Sequence, residues 1–170
     1  MHEAPKQNNP AEQAVVSPQP PPTISPLIKI FASGLYSGYA PFASGTVGTF
    51  VGLMVYLIPS FDQTAVLLPA SIVVFILGSL AAGQMEKAYG HDPSVVTIDE
   101  VLGIWISLLF LPKSLFIIVC AFFLFRMFDV FKPWPARVFD KMQGGWNIML
   151  DDVVAGIYTN LVLQIVQKFS

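Results

Sequence analysis

Seven of the eleven acidic residues fall between positions 92 and 152: Asp92, Asp99, Glu100, Asp129, Asp140, Asp151 and Asp152. Each stands at the end of an apolar run or in a polar segment between two runs. Carboxylates brought together repel, and they stay ionised side by side only when a cation neutralises them. Hard oxygen ligands of this kind suit Mg²⁺, Mn²⁺ or Ca²⁺. The same stretch supplies Arg126, Lys132 and Arg137, whose charged donors suit phosphate oxygens. Acidic and basic clusters meeting at a membrane surface are what metal-assisted phosphoester chemistry on a lipid headgroup requires.

Spacing sharpens this reading. Arg126 and Asp129 are three residues apart at the end of the run LFIIVCAFFLFRMFDV, so they share a helix face, and Lys132 follows just before Pro133 stops the helix. In GYAPFASGTVGTFVGL, Thr46 is placed to cap a helix beginning after Gly45, where free N–H groups would receive a phosphate. Gly48 and Gly52 in the same segment also fit the small-xxx-small pattern of close helix packing.

Each feature has a purely structural counterpart. Thr97-Ile98-Asp99-Glu100 matches a capping box, Asp151 and Asp152 would favour a helix N-terminus, and Arg137 with Asp140 would make a surface ion pair. Arg126 would snorkel from a membrane helix end with Asp129 as its partner. His91, in the loop YGHDPS, is a lone histidine of the kind usually found as a bystander. In a chain with only 20 charged residues, the convergence of so many favours function.

The elements that must position these groups are apolar. The AVILMFWYC set makes up 54% of 170 residues and charged residues only 12%, against about 25% in soluble domains. A net charge of −2 gives no basic stripe for nucleic acid. A single cysteine, Cys120, excludes an internal disulfide, and two histidines exclude a site built on several imidazoles.

Residues 1–26 hold seven of the fourteen prolines and read as a disordered, Pro-rich tail. Residues 27–170 form the membrane domain, opened by a short interfacial helix over about 27–35. Apolar pieces follow at 46–58, 65–84, 101–111, 115–125 and 153–166. Most are shorter than the roughly 20 residues of a straight span. The expected fold is therefore an all-α polytopic membrane bundle with short or re-entrant helices and four to five crossings.

A hairpin turning at Leu111-Pro112-Lys113 gathers the acidic positions at one end. It also leaves Lys6, Lys29, Lys87, Arg126, Lys132, Arg137 and Lys141 on one side, with Lys113 and Lys168 opposite, which satisfies the positive-inside tendency. One long helix kinked at Pro112 would instead separate Asp99 from Asp129 by the bilayer core.

Four segments carry a resemblance: APFASGTVGT (40–49), HDPSVVTIDEVLGIWI (91–106), FRMFDVFKPWPARVFD (125–140) and GGWNIMLDDVVAGIY (144–158). Together the chain resembles the phosphatidylglycerophosphatase A family of bacterial membrane enzymes. Two departures are Ser44, where the family usually has Pro, and Ile98, where it commonly has Trp.

The resemblance implies a Mg²⁺-dependent, all-helical phosphatase converting phosphatidylglycerophosphate to phosphatidylglycerol at the cytoplasmic face of the inner membrane. It places the acidic motif on Asp99 and Glu100, an Asp/Lys/Arg motif on Asp129, Lys132 and Arg137, and paired aspartates on Asp151 and Asp152. The expected metal ligands are thus Asp99, Glu100, Asp129, Asp151 and Asp152, with Arg126, Lys132, Arg137 and Thr46 on phosphate. The competing functions are a phosphatidyl-group transferase, whose usual DGxxAR spacing is absent here, and a small transporter, which would carry charges along its length rather than at one end.

Overall fold

The structure is a computed structural model that describes residues 23–169; the proline-rich tail expected over 1–26 lies almost wholly outside the described residues. A short helix, α1 (Pro26–Ala32), begins at a proline suited to the first helical turn and leads through a 3-10 turn (Ser37–Tyr39) into α2 (Ser44–Tyr56). The remaining helices are α3 (Thr64–Tyr89), α4 (Ile98–Leu108), α5 (Leu115–Phe131), α6 (Ala136–Asp140) and α7 (Gly145–Lys168). Among the described residues there is no strand, and the architecture is an all-helical membrane bundle.

Helices α3 and α7 are long and apolar enough to cross a bilayer. On α3, Ile72, Val73, Ile76, Leu77 and Leu80 are all exposed, and on α7 so are Leu161 and Ile165. Such an apolar exterior suits acyl chains and would be unstable in water. The short α4 is sheathed by α2, α3, α5 and α7, and nine of its eleven residues are buried. It needs no bilayer length because protein, not lipid, surrounds its ends. Asn160 of α7 donates to the carbonyls of Ser107 (3.1 Å) and Leu109 (2.7 Å), satisfying acceptors that the end of α4 would otherwise leave bare.

Glycines set the close approaches. A Cβ on Gly48 would lie 2.8 Å from Thr97 Cβ, and one on Gly52 would lie 2.6 Å from Ile104 Cγ2. The pair therefore packs α2 onto α4. At Gly52 the bare carbonyl also receives Trp105 Nε1 at 2.9 Å.

The two-helix hairpin expected around Pro112 is present: α4 ends at Leu108, the chain turns, and Ser114 caps α5 by accepting from Ile117 N at 3.2 Å. Helix boundaries differ most at α7, which begins eight residues before the apolar run at 153. A window of hydropathy stops at Asp151 and Asp152, whereas the helix continues through them because their carboxylates are accommodated inside the bundle. They stand two turns into α7, so the helix-N-terminus reading of this pair does not hold.

Candidate active site

The starts of α2, α4 and α7 and the end of α5 meet at one end of the bundle, around a cavity of about 350 Å³. Asp99, Glu100, Arg126, Asp129, Lys132, Asp151 and Asp152 line it, together with Ala43, Ser44, Gly45 and the loop residues Asp92, Pro93 and Ser94. Helix α4 presents the adjacent pair Asp99–Glu100, and α7 presents Asp151–Asp152.

Three carboxylates converge: one oxygen from each of Asp99, Glu100 and Asp152 falls within a group whose members are all within 4.8 Å of one another. Glu100 Oε2 is buried without a hydrogen-bond partner. A buried acceptor left bare costs about 1–3 kcal/mol, more when charged, so the protein maintains this arrangement against its own stability. Three hard oxygen donors with an unsatisfied lone pair fit a divalent cation such as Mg²⁺.

Asp129 and Asp151 are already matched. Asp129 Oδ2 lies 2.5 Å from Arg126 Nη1, which is also 4.0 Å from Glu100 Oε1. Asp151 Oδ2 accepts from Lys132 Nζ at 2.6 Å, and Lys132 also bonds Asp140. Burial pushes the Lys132 ammonium down, but the Asp151 charge and the bonds to Asp140 and Asp151 outweigh it and hold the group above the usual lysine range. Lys132 therefore stays cationic at any physiological pH. The first acid of each adjacent pair also orders the backbone that follows it: Asp99 Oδ1 accepts from Glu100 N, and Asp151 Oδ1 from Asp152 N.

Two expected phosphate contacts lie elsewhere. Arg137, on the five-residue α6, is exposed and points out of the cavity, donating to Phe131 O at 3.4 Å. It makes no pair with Asp140, whose carboxylate is taken by Lys132. Thr46 does not line the cavity either, because α2 starts two residues before it, after Ala43 in a left-handed conformation (φ 48°). Nor is the capping box formed: Thr97 Oγ1 bonds Ser37 Oγ at 2.8 Å, which frees Glu100 for the cavity.

Ser44, Gly45, Asp92 and Ser94 are additions to the expected set. Gly45 was legible only as part of a phosphate loop; its actual role is clearance. A Cβ there would stand 2.4 Å from Glu100 Oε1 and 2.9 Å from Arg126 Nη1.

His91 is outside the cavity and latches the loop before α4. Its Nδ1 lies 3.0 Å from Glu86 Oε1 of α3 and its Nε2 lies 3.1 Å from the Asp140 carbonyl. The hydrogen bond with Glu86 raises its pKa, with smaller support from the Asp140 carbonyl and the Glu86 and Asp92 charges. A raised folded-state pKa gives stability that is complete below about 6.5 and is lost as pH rises through the folded value. The melting-temperature difference between wild type and His91→Gln should therefore be larger at about pH 5 than at about pH 9. An equal difference at both would show that the imidazolium contributes nothing.

Fold and site together define an integral-membrane helical bundle with an acid-rich, cation-lined centre at one end. A profile of the family phosphatidylglycerophosphatase A matches residues 30–167, and the chain belongs to that family, hence to the lipid phosphatases. Relatives named phosphatidylglycerophosphatase A occur in Escherichia coli (34% identity, 79% of this chain and 80% of the relative) and Haemophilus influenzae (35%, 82% and 88%). A Bacteroides thetaiotaomicron relative, 34% identical over 80% of this chain and 91% of its own, bears a name that proposes a phosphatidylinositol-3-phosphatase. No solved structure matches the chain.

Proposed function

We propose that the protein is a Mg²⁺-dependent phosphatase that hydrolyses phosphatidylglycerophosphate to phosphatidylglycerol and phosphate, with its site at the cytoplasmic face of a bacterial inner membrane. The observation that carries the reading is the convergence of Asp99, Glu100 and Asp152 beside Arg126 and Lys132 in one cavity. Asp99, Glu100 and Asp152 would hold the metal, which when bound supplies Lewis-acid polarisation of phosphoryl oxygens and a water of lowered pKa.

The protein's own groups do the rest. Arg126, held by Asp129, and Lys132, held by Asp140 and Asp151, present fixed positive charge to the terminal phosphate and to the charge that grows on it in the transition state. Their acidic partners keep both cations in place before substrate arrives, so little reorganisation remains. The cavity opens at the end of the bundle, where a headgroup can enter while its acyl chains stay in lipid.

The test is phosphate release from phosphatidylglycerophosphate by the purified protein in neutral detergent, with and without Mg²⁺, beside phosphatidylinositol 3-phosphate. Metal-dependent turnover of the first lipid is expected; release only from the second would reassign the substrate. Sidedness has its own readout, in a Cys120→Ser background. Ser94→Cys and Gln143→Cys should react together with an impermeant thiol reagent from the cytoplasmic side, and Ser114→Cys from the other. Opposite labelling of the first two would break the shared site.

A further inference from the structure

Next to the catalytic cavity lies a second, larger hollow of about 640 Å³, lined in part by Lys132, Arg137, Lys141, Phe131, Trp134 and Met142. Lys132 belongs to both walls, so the two spaces adjoin through one ammonium group. Their chemistry differs. The cavity holds six carboxylates beside its cations, while the hollow has three basic side chains and no acid in its lining. Among the described residues neither Arg137 nor Lys141 has a carboxylate partner, and the guanidinium of Arg137 makes one long bond, to Phe131 O. Its rim is apolar: Trp134 is 78% exposed and Phe131 70%. Exposed aromatic residues beside basic ones are what a membrane–water interface favours.

We infer that this hollow is a binding site for the phosphodiester of the lipid substrate, with Arg137 as its principal ligand and Lys141 in support. The inference rests on the substrate class proposed above. Phosphatidylglycerophosphate carries two phosphates, a terminal monoester and, one glycerol unit away, a diester attached to the acyl-bearing half. An acid-rich cavity made for a cation accommodates the monoester. The monoanionic diester needs positive charge without competing carboxylates, and of these two adjoining spaces it is the hollow that provides it. Apolar Phe131, Trp134 and Met142 then meet the glycerol and upper acyl region. Arg137 therefore selects lipids with a phosphate at that second position, and the product, which keeps the diester, occupies the same place.

The experiment is isothermal titration of the full-length protein in neutral detergent with phosphatidylglycerol, which has the diester and no monoester. Arg137→Ala should bind it about tenfold more weakly, the scale of one charge-assisted hydrogen bond, and Arg137→Lys less so. In turnover, Arg137→Ala should raise KM for phosphatidylglycerophosphate by a similar factor with a much smaller change in kcat. Equal affinity of wild type and Arg137→Ala for phosphatidylglycerol overturns the assignment. So does an equal loss of affinity for an alkyl sulfate, since that would reduce the hollow to general attraction for anionic amphiphiles. Loss of phosphatidylglycerol binding in a protein whose wild type releases no phosphate from phosphatidylglycerophosphate would instead retain the diester site and remove the proposed reaction.

Discussion

Asp152→Asn should lower Mg²⁺-dependent phosphate release by about 10²–10³-fold, the scale seen when a preorganised electrostatic group is lost from an active site. The same substitution should raise the melting temperature of the metal-free protein. Both expectations follow from one geometry. Asp152 is 3% exposed on α7, and its carboxylate meets those of Asp99 and Glu100 within a 4.8 Å group. Without a cation these like charges oppose folding, and a neutral amide of the same shape relieves them. The backbone bond from residue 152 to Asp151 Oδ1 is unaffected, so the helix has no reason to suffer. With Mg²⁺ the sign reverses, because wild type gains binding energy that the variant forgoes. A carboxylate serving only the fold would behave differently: its removal would lower the melting temperature in both conditions. Near-normal activity of Asp152→Asn at low Mg²⁺ would remove this residue from the metal site.

Gly45→Ala should also cost about 10²-fold in activity, here with the fold preserved. The added methyl would stand 2.4 Å from Glu100 Oε1, 2.9 Å from Arg126 Nη1 and 3.0 Å from Nη2. These are tips of flexible side chains, so the backbone need not move and the displacement falls on the site itself.

Gly145→Ala is the natural contrast. Its Cβ would lie 1.9 Å from Ser79 O and 2.4 Å from Gly83 N, both main-chain atoms of α3, and neither can turn aside. That variant should lose folded protein on size exclusion, whereas Gly45→Ala should elute and melt like wild type while turning over poorly. If Gly45→Ala kept its activity, the approach of α2 to Glu100 and Arg126 would have no bearing on catalysis.

Much of this molecule was readable along the chain. Apolar runs marked all five of the longer helices, and Leu111-Pro112-Lys113 marked the turn between α4 and α5, because a proline after an apolar run ends a helix wherever it occurs. The concentration of acids between 92 and 152 marked the end of the bundle where the cavity lies. The spacing of Arg126 and Asp129 marked their contact, since residues three apart on a helix must share a face. Other readings failed because local patterns had competitors elsewhere in the fold. Thr97 has the spacing of a capping box, yet Ser37, sixty residues away, takes its hydroxyl. Arg137 and Asp140 are three apart, yet Lys132 reaches Asp140 first, and α6 turns the guanidinium outward.

What the sequence determined by itself is therefore the set of properties that depend on neighbours in the chain. These are an apolar helical bundle, its turns, and an excess of carboxylates and cations on one side of it. Only the tertiary structure decided which carboxylates remain free to share a cation and which are already paired. Asp99, Glu100 and Asp152 come from two helices about fifty residues apart, and the ion pair of Asp151 with Lys132 joins α7 to the end of α5. Charge pairing falls off steeply with distance inside a medium of low dielectric, so shifts of an ångström or two decide which partners engage. Such shifts are set by how closely the helices pack, at Gly45, Gly48 and Gly52 on α2 and at Gly145 on α7. Separations along the chain carry no measure of that closeness, and the site exists only once the helices have met.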